Sequence, residues 1–111
     1  MEIESLIKTI IQCAYNVRMH LATGFLEAVY QKALVIELKE KGIDAETEAP
    51  INVYYKNIVV GEFRADIIVE KKIIIELKAV QNLIPIHETQ LVNYLTATNT
   101  DHGLLINFGG E

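Results

Sequence analysis

The chain has 111 residues, of which 50% are hydrophobic and 23% charged, enough for a single domain spanning residues 1–111 with a core that needs no staple. Fifteen acids against ten Lys and Arg leave a net charge of −5, which argues against a strong, purely electrostatic grip on nucleic acid. The single Cys13 excludes an internal disulfide, no stretch reaches the ~18 apolar residues of a bilayer span, and the acidic start Met1-Glu2-Ile3-Glu4 lacks a signal-peptide pattern. A soluble, cytoplasmic protein with no membrane attachment is expected.

Ile3, Leu6, Ile7, Ile10, Ala14, Val17 and Leu21 recur at helical spacing and predict a first amphipathic helix. Ala22-Thr23-Gly24 interrupts it, with Thr23 or Gly24 as the candidate cap of a second helix. Leu26, Val29, Tyr30, Ala33, Leu34 and Leu38 carry that helix to Lys41, and Gly42 is its stop signal. Ala45 to Tyr55 reads as extended, with Pro50 pointing to an edge position or a bulge. Lys56-Asn57 turns the chain into a strand over Ile58–Val69. Ile73 to Val80, β-branched and nearly all apolar, predicts a central strand. Pro85 precedes a third helix from about His87 to Thr98, and Leu104 to Phe108 forms the last strand. The order ααβββαβ makes the fold class α/β, a mixed four-stranded sheet flanked by helices.

The chemistry concentrates in Arg64-Ala65-Asp66 and Glu76-Leu77-Lys78. Side chains alternate along a strand, so Glu76 and Lys78 share a face. If Glu70, Lys71 and Lys72 form the hairpin loop, antiparallel pairing sets Asp66 opposite Glu76 and Arg64 opposite Lys78. Opposed carboxylates repel, and a hard divalent cation held by both would offset the repulsion. That constellation implies a metal-dependent phosphodiester site. The cations Lys56, Arg64, Lys71, Lys72 and Lys78 all fall in the strand region, where a nucleic-acid enzyme could concentrate them, and each taken singly reads as solvated surface.

Each residue also has a plainer reading. Glu27 near a helix start complements the helix dipole, and Glu76 with Lys78 is an ordinary strand pair in isolation. Glu37-Leu38-Lys39 repeats the E-L-K tripeptide inside a helical period, where residues two apart do not share a face. The triplet therefore gains meaning only on a strand beside another acid. His20, His87 and His102 are scattered without zinc spacing, and Cys13 reads as a packed thiol. Tyr54 and Tyr55 read as strand packing in preference to a base-stacking platform.

Gly24-Phe25-Leu26-Glu27-Ala28-Val29-Tyr30 resembles the signature of the GxxExxY family of small prokaryotic proteins. Arg64-Ala65-Asp66, Glu76-Leu77-Lys78-Ala79-Val80, Gln90 with Tyr94, and Gly103 to Gly109 are similar as well, so the resemblance covers nearly the whole chain. It departs at Ala22-Thr23-Gly24, where Gly-Pro-Gly is common in the family, and in ending at Glu111 before a basic tail. The family lies in the PD-(D/E)XK superfamily, which implies a restriction-endonuclease-like core and a nuclease dependent on Mg²⁺ or Mn²⁺. On that resemblance Asp66, Glu76, Glu27 and the backbone carbonyl of Leu77 are metal ligands, and Lys78 stabilises developing charge. Gln90 and Tyr94, four apart on one helix face, resemble the Q-x-x-x-Y motif of RecB-like nucleases, which supports the site and touches substrate. Arg64 is expected to reach phosphate from the face of Lys78. The expected partner is nucleic acid, DNA ahead of RNA, with a homodimer or a larger assembly as an option. The rival expectation is a catalytically silent module of the same fold that binds nucleic acid or a protein.

Overall fold

The structure, a computed structural model, describes residues 1–110. Among the described residues the elements follow as α1 (Ile3–His20), α2 (Glu27–Glu40), β1 (Ala45–Tyr55), β2 (Ile58–Val69), β3 (Ile73–Lys78), α3 (Pro85–Thr98) and β4 (His102–Asn107). The sheet runs β1-β2-β3-β4, antiparallel between the first three strands and parallel between β3 and β4. This is an α/β fold of the order ααβββαβ. No helix among the described residues is long and apolar enough to cross a membrane.

The helices cover the sheet from both sides. Leu6, Ile10 and Val17 of α1 and Leu34 and Leu38 of α2 pack on Ile67, Val69, Ile73, Ile75 and Leu77. Leu91 and Tyr94 of α3 pack on Ile51, Ala65 and Ile74 from the other side. A strand roofed on both faces has no solvent side, which is why β3 is an apolar run instead of an alternating one. Pro50 sits on edge strand β1 opposite Arg64, where its missing N–H is tolerated.

The turns match local chemistry. Lys56 and Asn57, at φ 50° and 66°, form a two-residue hairpin turn between paired Tyr55 and Ile58. Glu70, Lys71 and Lys72 close the second hairpin, with Lys72 N–H donating to Val69 O at 2.9 Å. At the end of α2, Gly42 N–H donates to Lys39 O and Ile43 N–H to Leu38 O, the doubled bonding of a Schellman stop. Gly42 has φ +73°, a conformation a side chain would resist.

Several boundaries differ from the sequence reading, the ends of α2 and β4 by a single residue each. The position before α2 is Leu26, with no side-chain cap, so neither Thr23 nor Gly24 caps the helix. Pro85 itself begins α3, as its fixed φ allows. β4 begins at His102, two residues earlier than expected, because it pairs with β3 along the whole of Ile73–Lys78. β3 stops at Lys78, short of Val80, because the Asn107 side chain takes the Val80 backbone. Its Oδ1 accepts from Val80 N–H at 3.1 Å and its Nδ2 donates to Val80 O at 2.9 Å.

Candidate active site

The β2–β3 ladder begins at the hairpin with Val69 opposite Ile73 and ends at Ile67 opposite Ile75. Beyond that point side chains replace the backbone. Asp66 N–H donates to Glu76 Oε2 at 2.9 Å, and Leu77 N–H donates to Asp66 Oδ2 at 2.8 Å. Each carboxylate thus holds a backbone N–H of the opposite strand at the point where the ladder ends. The two acids do meet, as the hairpin register requires, with backbone N–H groups offsetting part of their repulsion. Charge-assisted bonds of this kind are among the stronger ones.

The parting of the strands also breaks alternation in β2. Ile67 and Val69 pack towards α1 and α2, yet Ala65 packs towards α3. Phe63 faces the α3 side too, its ring 5.6 Å from that of Tyr94. Arg64 lies between these two and therefore projects to the opposite face. It is exposed and paired with Pro50, so the expected juxtaposition of Arg64 with Lys78 does not form. Lys78 has the parity of Ile74 and Glu76 and stays on the α3 side.

Glu76 is only 5% exposed. Burial pushes its carboxyl up to about 7, the charge of Asp66 pushes the same way, and the Asp66 N–H and the Lys78 ammonium pull it down. α3 closes over this group. Tyr94 is buried, and burial together with the charges of Glu76 and Asp66 holds its phenol above the usual range. Gln90 Nε2 donates to the Tyr94 hydroxyl at 3.0 Å, so the expected i, i+4 pair forms a unit.

On the α2 side, Glu27, Ala28, Gln31, Glu48, Asp66 and Leu77 line a small cleft of about 140 Å³. The G-x-x-E-x-x-Y segment explains how Glu27 is presented there. Gly24 takes φ +110°, and Tyr30 reaches back so that its hydroxyl donates to Ala22 O at 2.5 Å and accepts from Phe25 N–H at 3.3 Å. Its ring stacks on Phe108, so the turn that precedes Glu27 is pinned to the core.

Two residues of this cleft escaped the sequence reading. Gln31 donates from Nε2 to Asp66 O at 2.8 Å, fixing the backbone where the strands part. Its signal was available, since Gln31 is one turn beyond Glu27 on the same helix face. Glu48 sits opposite the kink with φ 50°, and no strand periodicity would announce a left-handed glutamate there.

The remaining expectations separate cleanly. Glu37 of the second E-L-K accepts from Asn16 Nδ2 on α1 at 3.0 Å. Cys13 is fully buried, and burial raises its thiol pKa. Tyr54 and Tyr55 are 61% and 64% exposed, so the expectation that they pack within the sheet is corrected.

A sequence model of the PD-(D/E)XK nuclease superfamily matches residues 4–111. The chain belongs to the PD-(D/E)XK nuclease superfamily. No curated protein and no solved structure matches it. Asp66 stands on β2 and Glu76-Leu77-Lys78 on the neighbouring β3. The donor set is all oxygen, as a hard divalent cation requires, and Asp66 and Glu76 each commit only one carboxylate oxygen to a backbone N–H. Among the described residues no group of three His, Cys, Asp or Glu is placed to hold a metal ion, so Glu27 does not close with Asp66 and Glu76 into the expected three-acid cage.

Proposed function

We propose that this chain is a GxxExxY-family nuclease that hydrolyses phosphodiester bonds in DNA with Mg²⁺ or Mn²⁺. The observation that carries this reading is the reciprocal locking of Asp66 and Glu76 at the point where β2 and β3 part, with Lys78 two residues along the same face. An ornamental pair of surface acids would not be built into the backbone ladder.

Asp66 and Glu76, with the Leu77 carbonyl beside them, would hold the cation. When bound, it would supply Lewis acidity at the phosphoryl oxygen and ease the ionisation of water. The other roles belong to the chain. The Lys78 ammonium stabilises negative charge developing on the phosphate. Gln90 fixes the Tyr94 hydroxyl above Glu76, where it orients substrate. Glu27 and Glu48 hold solvent in the cleft beside Asp66, and Gln31 keeps the Asp66 backbone in place. Arg64, on the far face, serves a phosphate only where the strand wraps round the sheet.

A second reading, a catalytically silent module of the same fold, is favoured by the net charge of −5, a poor basis for holding duplex DNA. A cleavage assay separates the two. Single-stranded, duplex and branched DNA and RNA are incubated with Mg²⁺ or Mn²⁺ and with wild type, Asp66→Ala or Lys78→Ala purified alike. Cleavage lost in both variants supports the enzyme. Equal traces from all three proteins, or none, leave the binding module.

A further inference from the structure

The β1–β2 hairpin continues past the rest of the sheet, since β2 pairs with β3 only over Ile67–Val69. Its outer part, from Asn52 to Phe63, stands out as an arm, and α3 runs beside it. Between them lies a groove of about 820 Å³, walled by Tyr54 and Phe63 of the arm and by Ile86, Gln90, Asn93 and Tyr94 of α3. We propose that this groove is a binding site for the unpaired bases of single-stranded DNA.

Four observations carry the proposal. The first is aim. The β1–β2 register shifts between Val53 and Tyr54, where β2 carries one extra residue, Val60, and both Val53 and Tyr54 line the groove. A bulge that redirects one side chain is a characteristic device beside functional sites. Here the extra residue lies on β2, across from Tyr54, whose ring lines the groove. Gly61 serves the same end, because a Cβ there would stand 2.9 Å from the Phe63 ring.

The second is chemistry. Three aromatic rings line the groove, 61% of Tyr54 and 43% of Phe63 being exposed, with amide groups of Gln90 and Asn93 between them. Faces for stacking and amides for base edges are what a single strand needs. The third is charge. In a chain with fifteen acids, no charged residue is among those described as lining the groove, so a polyanion meets no repulsion from its walls. With few cations to neutralise phosphate, base stacking is the stronger source of affinity left to this protein. The fourth is continuity. Gln90 and Tyr94 line the groove, and the Tyr94 hydroxyl feels the charges of Glu76 and Asp66. A strand seated on Tyr54 therefore leads its next phosphates towards the acids.

The choice of DNA rests on the nuclease reading above, so the test measures binding without chemistry. In chelator, fluorescence anisotropy would follow a labelled oligo-dT strand, its duplex, an abasic strand of equal length and an oligo-U RNA. Oligo-dT is expected to bind at least tenfold tighter than the duplex or the abasic strand. Tyr54→Ala should weaken that binding roughly tenfold, the loss of about one stacked base. Tyr54→Phe should keep it, and Tyr55→Ala, outside the groove, should leave it unchanged. Equal affinity for abasic and base-bearing strands, or an unaltered Tyr54→Ala, overturns the proposal. Tighter RNA binding overturns the DNA assignment. A wild-type dimer that Tyr54→Ala dissociates, seen by sedimentation, assigns the groove to a second copy and overturns it as well. Absence of cleavage by wild type in Mg²⁺ would sink the nuclease reading alone, whereas cleavage without strand binding would sink the groove alone.

Discussion

The Tyr30 ring lies flat on that of Phe108, with centroids 4.8 Å apart and planes 2° from parallel. This stack joins the start of α2 to the residue just past β4, and the Tyr30 hydroxyl bonds the turn that leads to Glu27. Tyr30→Phe keeps the stack and removes the hydroxyl. It is expected to cost about 1 kcal/mol in urea unfolding and to lower cleavage more than a distant substitution of equal cost. Activity that falls no further than for such a control would detach Glu27 from the site.

Asp66 has a structural and a chemical role that two substitutions separate. Asp66→Asn retains an oxygen for Leu77 N–H, so stability should change by less than about 1 kcal/mol while cleavage drops at least a hundredfold. Asp66→Ala strands that N–H and should cost about 1–3 kcal/mol besides. Urea unfolding beside a cleavage assay reads both; an active Asp66→Asn would remove the carboxylate from the chemistry.

Glu76 makes stability depend on pH. Burial raises its folded value to about 7 from an ordinary 4.5, so the folded protein binds a proton that the unfolded chain releases. Its contribution is fully present below about pH 4.5 and is lost as pH rises through about 7. The shift corresponds to on the order of 3 kcal/mol across that window. In chelator, wild type should lose stability over this range relative to Glu76→Gln. Parallel pH profiles for the two proteins would show that Glu76 is not the titrating group.

Gly109 is the tightest backbone contact near Lys78. A Cβ there would lie 2.4 Å from Val80 N and 2.5 Å from the Ala79 carbonyl carbon. Both are backbone and cannot step aside, so Gly109→Ala should cost about 2–4 kcal/mol and displace the chain just after Lys78. Thermal unfolding checks the first effect. Residual cleavage by the folded fraction checks the second, and full specific activity there would show that Lys78 does not depend on this contact.

The order of elements, the edge position of Pro50, the centrality of β3 and the Glu70–Lys72 loop were all legible, because each depends on local pattern. The pairing of Asp66 with Glu76 followed from that loop by counting. Counting failed one step further, at Arg64, because it assumes that the ladder continues. The carboxylates themselves end the ladder, and a strand released from pairing twists, so Ala65 and Ile67 fall on opposite sides despite equal parity. Glu48, the Val60 bulge and the Asn107 clamp were hidden for the same reason. Each is a response of backbone to tertiary surroundings and leaves no trace in hydrophobic period. Gln31 was hidden only by attention to charge, since an amide one turn from a candidate acid is visible on a helical wheel.

The parallel pairing of β3 with β4 sets an order of assembly. The β2–β3 hairpin that brings Asp66 to Glu76 closes over a short stretch of chain, whereas β4 must return across the whole of α3 to reach β3. Distant pairings of this kind form late in folding. Phe108 N–H donates to Lys78 O at 2.8 Å, and Asn107 grips Val80, so the lysine gains its anchor only with that last strand. On the ribosome, a nascent chain thus brings its two acids together before its lysine is fixed, and the site is completed only after β4 has been synthesised.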